Sequence, residues 1–370
     1  MSAFAVALVA PRQVRVVDEP AATLGPRQVR VRTLYSGISA GTELAAYRGT
    51  SPYLHKRWDS AQRLFVQHDG AASSPSYPLS TWGYEEVGEV VERGSEIDED
   101  DHVLPLGTCV YGTWGHRSQA VLDAAVARQR VLPTGVDPLL GIYSHIGPIA
   151  LNGVLDTAVR LGETVAVFGL GVVGQLVAQL LRRAGARVVG VDGIAQRREM
   201  ALALGLDLAL DPAEPVAERI KEMTANRGAD VCVEASGSSR ALHEATRACA
   251  YGARVVALGF YQGEAAGLFL GEEFHHNRIS LVCSQIGGIA AELQQRWDRL
   301  RLVHTFMDLA ARGDVRCTPL ITHRVPAHDA PAVYELLDAR PHEVLQAVLD
   351  FRDRTALTGD LRSNSSPEGA

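Results

Sequence analysis

Thr164-Val165-Ala166-Val167-Phe168-Gly169-Leu170-Gly171-Val172-Val173-Gly174 is the stretch on which the reading of this 370-residue chain turns. Its first five residues carry no charge and are rich in β-branched and aromatic side chains, the composition of a short strand buried on both faces. Three glycines follow in G-x-G-x-x-G spacing, and behind them Leu176, Val177, Leu180 and Leu181 share one face of a helix. Each glycine has its own duty. Gly169 makes a tight turn, Gly171 lets the backbone approach a pyrophosphate, and Gly174 lets helix pack closely on strand. Val172 and Val173 open the helix, whose free N–H groups face phosphate charge.

Working outward, the pattern predicts strands at 164–168, 187–191, 206–210, 230–234, 253–258 and 279–283, with helices at 172–183, 195–204, 216–224 and 239–250 between them. Strand and helix alternate, as in a doubly wound parallel sheet, although 261–277 is irregular. The first 140 or so residues differ: short apolar runs such as 14–17 and 28–33, broken by Pro and Gly, predict a strand-rich, barrel-type domain. A helix at 296–311 and strands at 319–325 and 344–351 return to that first domain. The expected fold is thus α/β, with domains at 1–150 completed by 305–351, and at 151–304. Residues 352–370 are polar and without apolar period, and are expected to be disordered.

Asp192 ends the next strand, near the spacing of about 20 residues at which a carboxylate accepts hydrogen bonds from an adenosine ribose. It would also repel a 2′-phosphate, so NAD is the expected cofactor. Arg197 and Arg198 lie nearby; an arginine can pair with a 2′-phosphate, but with Asp192 in place they are expected as a cap on the adenine side or as solvated side chains. Ala235, Ser236 and Gly237, with Leu258 and Gly259, end later strands on the same edge of the sheet, and are expected beside the nicotinamide ribose.

The net charge is −7, with 46% hydrophobic and 21% charged residues, which offers no broad attraction to nucleic acid or anionic lipid. No run approaches the ~18 apolar residues of a spanning helix, and there is no basic leader before the apolar N-terminal residues. Five cysteines, odd in number and widely spaced, read as reduced thiols in a cytoplasmic protein rather than a disulfide framework.

The segments Ser36-Gly37-Ile38-Ser39-Ala40-Gly41-Thr42-Glu43 and Trp82-Gly83-Tyr84-Glu85-Glu86-Val87-Gly88, together with the glycine run, resemble the medium-chain dehydrogenase/reductase superfamily of alcohol, sorbitol and threonine dehydrogenase-like proteins. The likeness spans about residues 3–351 and implies a GroES-like strand-rich domain beside a Rossmann unit. The first two segments are most similar to a branch that includes bacteriochlorophyllide dehydrogenases. In zinc-bearing relatives the first segment holds a ligand cysteine and the second a ligand histidine. Here Ser39 or Ala40 stands for the cysteine and Tyr84 for the histidine, and no four-cysteine cluster follows Val91. Hydroxyls are poor zinc ligands beside thiolate and imidazole, so neither a catalytic nor a structural zinc is expected.

Without a metal, the resemblance leaves Tyr84 to hydrogen bond the substrate oxygen as acid or base, with His145 as a second group able to relay a proton near neutral pH. Glu43 and Glu85 orient them, beside Ser39. Each also has a purely structural reading: a packed tyrosine, a satisfied histidine, a stabilising network. Residues 49–80, with Tyr53, His55, Lys56, Arg57 and Trp58, read as an inserted loop able to cover a substrate cleft. The expected activity is hydride transfer between NAD and a secondary alcohol of a sugar, cyclitol or other hydroxylated small molecule, in a homodimer or larger homo-oligomer. The alternatives are zinc-free reduction of a conjugated C=C bond, and a non-catalytic NAD-binding sensor.

Overall fold

The computed structural model describes residues 3–67, 77–98 and 100–352. The expected tail from 353 onward, and residues 68–76 of the inserted loop, lie outside the described residues.

Thr164–Phe168 is central to a six-stranded parallel sheet whose spatial order is Leu208–Leu210, Arg187–Val191, Thr164–Phe168, Ala229–Glu234, Cys249–Ala257, Ser280–Cys283. Alternation along the strand explains this position. Val165 and Val167 enter one apolar layer with side chains from the helices Tyr143–Thr157, Val172–Arg183 and Arg299–Ala311. Ala166 and Phe168 enter the opposite layer, against Val216–Met223 and Ser239–Ala248. A fully buried valine contributes about 1.5–3 kcal/mol on each side, which holds a strand of this composition inside rather than at an edge. The order reverses between Thr164–Phe168 and Ala229–Glu234, the switch point at which doubly wound sheets bind ligands.

A second sheet runs in the order Ile321–Pro326, Gln346–Asp350, Gln28–Ile38, Glu86–Arg93, Cys109–Gly112, with Gln119–Asp123 also paired to Gln28–Ile38. Its pairs are antiparallel except Ile321–Pro326 on Gln346–Asp350. The fold is therefore α/β, a strand-rich sheet beside a doubly wound one, with C-terminal strands closing the N-terminal sheet. No helix among the described residues is long and apolar enough to cross a membrane.

Several local expectations need correction. Tyr143–Thr157 is a helix, not predicted because Gly147, Pro148 and Gly153 read as breakers. The glycines are there for contact: a Cβ on Gly147 would lie 2.1 Å from the Phe306 ring, and one on Gly153 2.7 Å from Leu258. Packing on neighbours overrides propensity here. Thr42–Arg48 and Ala330–Ala339 are further helices that the pattern did not predict. Both expected domain boundaries fall inside helices, at Tyr143–Thr157 and Arg299–Ala311. Arg352, placed in the tail, is instead bound to Asp350 at 3.1 Å and lies over the Tyr35 ring. Within the inserted loop, Lys56–Asp59 pairs with Leu64–Gln67 as a hairpin whose Trp58 and Phe65 meet edge-on.

Candidate active site

The glycine turn takes its shape from three different constraints. Gly169 has φ +91°, and a Cβ there would sit 2.8 Å from the Ser236 amide nitrogen. A Cβ on Gly174 would lie 1.8 Å from the Gly169 carbonyl oxygen. Gly171 caps the helix Val172–Arg183 with no side-chain hydrogen bond, at an ordinary φ of −64°, and space opens above it. The nearest atom to its missing Cβ is Arg197 Nη1, at 4.0 Å. The half-buried Val172 and Val173 begin that helix, so unshared amides face an open cradle of the kind a pyrophosphate fills.

Asp192 sits at the rim, its Oδ2 accepting from the Leu170 amide at 2.7 Å and its Oδ1 from the Ile194 amide at 2.8 Å. Each oxygen keeps a lone pair for a ribose hydroxyl. Arg197 turns toward the turn rather than into solvent: its Nη1 lies 3.9 Å from Asp192, and Nη2 donates to the Pro341 carbonyl at 3.1 Å. Arg198 ties Asp192 to Asp211.

Ala235, Ser236, Gly237, Leu258 and Gly259 gather around Glu234, a fully buried carboxylate that ends the strand Ala229–Glu234. Glu234 accepts from the Ser236 amide at 2.8 Å and hydroxyl, the Gly237 amide at 3.0 Å, and the Tyr261 hydroxyl. The Leu258 and Gly259 amides donate to its carbonyl, and Ala235 to that of Phe168. One acid thus shapes the strand ends beside the glycine turn.

In the strand-rich unit, Tyr84 donates to Ser39 Oγ, and its ring lies 4.7 Å from that of His145, tilted by 56°. Burial and the charges of Glu85 and Glu43 push the Tyr84 phenol above its usual range, so at neutral pH it is a hydrogen-bond donor rather than a phenolate. His145 lies in the first turn of Tyr143–Thr157. Burial, then the Arg299 and Arg130 guanidiniums, hold it down to about 4. It is therefore neutral imidazole at pH 7, not a group that titrates there. Arg299 Nη2 donates to its Nδ1 at 3.3 Å, which leaves the proton on Nε2.

Glu43 orients Ser39 through the backbone: its Oε1 accepts from the Ser39 amide at 3.0 Å. Its Oε2 meets His116 Nε2 at 2.9 Å and accepts from the Tyr334 hydroxyl. His116 Nδ1 reaches Ser36 Oγ at 2.6 Å, and Ser36 donates to Glu86. Both ring nitrogens of His116 thus donate, and the nearby carboxylates of Glu43 and Glu86 raise its pKa against the cost of burial. Glu85 does not orient Tyr84 or His145 by a hydrogen bond. It is fully buried, its Oε2 faces Gln346 Nε2 at 3.4 Å, and its Oε1 has no partner. Burial, then Glu43 and Glu86, push its carboxyl well above the ordinary range.

His116, Tyr334, Glu86 and Gln346 were not singled out in the sequence. A detectable signal was the adjacent pair Glu85-Glu86 ahead of the apolar Val87, since two neighbouring acids that become buried require a donor or cation. Glu85 and His116 both bind protons more tightly in the folded chain than at their unfolded values of 4.5 and 6.5. The His116 contribution is complete below pH 6.5 and is lost as pH climbs through its folded pKa; Glu85 opposes folding increasingly above 4.5. Above about pH 7.5, where His145 is neutral folded and unfolded alike, thermal unfolding up to pH 9 should therefore show Tm decreasing as pH rises, and a Tm that climbs over this range would contradict the network as drawn.

Residues 172–301 match the family described as zinc-binding dehydrogenase. Over 348 residues the chain is 31% identical to the D-guloside 3-dehydrogenase of Escherichia coli (strain K12), covering 92% of this chain and 98% of that protein. The chain belongs to the medium-chain dehydrogenase/reductase superfamily. Two solved structures share the superfamily fold along nearly the whole length. One is a zinc-binding dehydrogenase of Sinorhizobium meliloti 1021 bound to NADP, 22% identical with a TM-score of 0.73, over 95% of this chain and 99% of that one. The other is an alcohol dehydrogenase of Escherichia coli CFT073 complexed with NADH, 18% identical with a TM-score of 0.72, over 95% and 100%. This superfamily member is an oxidoreductase.

Proposed function

We propose that the enzyme passes a hydride between NAD and a secondary alcohol of a sugar or similarly hydroxylated metabolite, without zinc. The observation that carries this is the Tyr84–Ser39 hydroxyl pair beside neutral His145, in a chain whose parallel sheet also holds a glycine cradle with room for a pyrophosphate. The sugar-dehydrogenase name of the 31% identical relative supports the substrate class.

The donor set does not fit zinc. Ser39 and Tyr84 are bonded to each other, the phenol is held in its neutral form, and Glu85 is fully buried and turned to Gln346, its carboxyl pushed well above the ordinary range by burial. Zinc takes thiolates, imidazoles and carboxylates. Among the described residues the one group of three such side chains close enough to share an ion is His243, Glu272 and Glu273, in the parallel-sheet unit.

The nicotinamide supplies a two-electron hydride acceptor at C4. Tyr84 receives the substrate's hydroxyl proton at its phenolic oxygen while its own proton passes along the hydrogen bond to Ser39 Oγ, which releases its hydroxyl proton to bulk water. His145 donates from Nε2 to the oxygen as negative charge develops there. Glu43 holds the Ser39 amide, and so the receiving hydroxyl, in place.

Asp192 selects NAD by accepting ribose hydroxyls and repelling a 2′-phosphate. Asp192→Asn keeps an amide acceptor but removes the charge, and should raise NADP affinity relative to NAD by about tenfold, read by fluorescence titration of the reduced cofactors. The reading divides the chain into a catalytic unit, 1–150 with 305–351, and a cofactor unit, 151–304, hinged on the two helices that cross those limits. A homodimer or larger homo-oligomer in a cytoplasm belongs to the same reading, and five unpaired thiols suit a reducing compartment.

Hydride transfer followed by nicotinamide absorbance, across sugars, glycosides, polyols and enones with NAD and NADP, tests the whole. Turnover of a hydroxylated substrate with NAD, by protein purified without chelator and holding well under one zinc per chain, is the expected result. One tightly bound zinc whose removal abolishes turnover would overturn the metal-free mechanism; cofactor binding with no turnover of any substrate would favour a sensor.

A further inference from the structure

Beside His145 a cleft opens between the two sheets, lined by Tyr111, Thr113, Arg130, Ser144 and Arg299. Its charge is one-sided. Arg130 is half-buried, and the charged neighbours that act on it are Tyr111 and Arg299, neither of them a carboxylate. Arg299 donates to His145 and has no acid within ion-pair distance among the described residues. Several other arginines of the chain have acid partners: Arg30 with Glu92 at 2.7 Å, Arg324 with Asp350 at 2.5 Å, Arg247 with Glu218 and Glu244. Half-buried Arg130 and exposed Arg299 line the same cleft without such a partner and repel, and the burial of Arg130 increases the cost.

We propose that the substrate carries an oxyanion, a phosphate ester or a carboxylate, which Arg130 and Arg299 grip beside Tyr84 and His145. The inference rests on the dehydrogenase reading and narrows it to an anionic sugar or polyol. Planar guanidiniums suit either group, since each offers paired N–H donors to two oxygens at once, and the Ser144 and Thr113 hydroxyls add neutral donors on the same wall. The placement fits the chemistry: an anion anchored here brings a neighbouring carbinol carbon to the Tyr84–Ser39 pair and leaves the glycine cradle free. Bound negative charge also offsets the two cations that, after burial, hold His145 down to about 4.

The test uses the whole enzyme saturated with NADH, so that phosphate cannot enter the pyrophosphate cradle. Calorimetric titrations with inorganic phosphate, glucose 6-phosphate, gluconate and glucose are compared for wild type, Arg130→Met, Arg299→Met and the double variant. The expected result is that at least one anionic probe binds tenfold or more tightly than glucose, and that each single variant weakens it about tenfold. NADH affinity should stay within twofold, because neither side chain contacts the cradle. Tighter binding of the sugar phosphate marks a phosphate ester as the natural group, and tighter binding of gluconate marks a carboxylate. Glucose binding as well as every anion, or a double variant that binds phosphate like wild type, overturns the proposal. Failure of NADH itself to bind would sink the dehydrogenase reading instead, so the two failures are distinguishable.

Discussion

Tyr84→Phe should lower kcat by roughly 10²- to 10³-fold, the range typical of a lost proton-transfer group, with NADH affinity unchanged. The substitution removes one oxygen and keeps the ring that lies 4.7 Å from His145, so packing is conserved and the loss is chemical. It also leaves Ser39 Oγ without its donor in a buried place. A role in packing alone predicts a different pattern, with Tm changed and kcat nearly intact. The pH profile adds a second discriminator. Burial and the Glu85 and Glu43 charges keep the phenol protonated through the neutral range, so kcat/KM of wild type should show no basic limb from Tyr84 below about pH 10. His145, held down to about 4, should not produce an acidic limb near 6.5. Full turnover by Tyr84→Phe on a substrate that wild type oxidises would end the proposed role of the phenol.

The cofactor half of the molecule was legible because its signals are local. A β-branched strand, three glycines and an amphipathic helix are read within 20 or so residues, and the helix Val172–Arg183 and strands Thr164–Phe168 and Arg187–Val191 lie where the pattern placed them. The substrate half depends on contacts across long chain separations. Tyr334 reaches Glu43 from a helix near the other end of the chain, and His116 joins Ser36 to Glu43 across separate strands. No spacing rule links them. Tyr143–Thr157 was hidden for a related reason: its glycines look like breakers until Phe306 and Leu258 are seen against them. The titration of His145 also was not readable, since its pKa is lowered by burial and then by Arg299 and Arg130, which come together only in the fold.

The glycine turn permits a sharper separation of fold from function, because its residues are glycine for different reasons. Gly174→Ala forces a Cβ to within 1.8 Å of the Gly169 carbonyl oxygen. Backbone has to move, and overpacking of this kind costs about 1–3 kcal/mol or more, so Tm should fall by several degrees. Gly171 meets no such obstacle. Its φ of −64° suits any residue, and the nearest atom to an added Cβ is 4.0 Å away, so Gly171→Ala should fold with an unchanged Tm. Nothing within the chain requires glycine at this position; a group that must approach the backbone does. The added methyl stands where the pyrophosphate meets the helix amides, and displacing charge-assisted hydrogen bonds worth about 1.5–3 kcal/mol should weaken NADH binding roughly 10- to 100-fold. Fluorescence titration beside thermal unfolding reads both quantities on the same samples. If Gly171→Ala binds NADH like wild type, the open face above Gly171 is not where the dinucleotide lies, and the placement of Asp192 at its ribose falls with it.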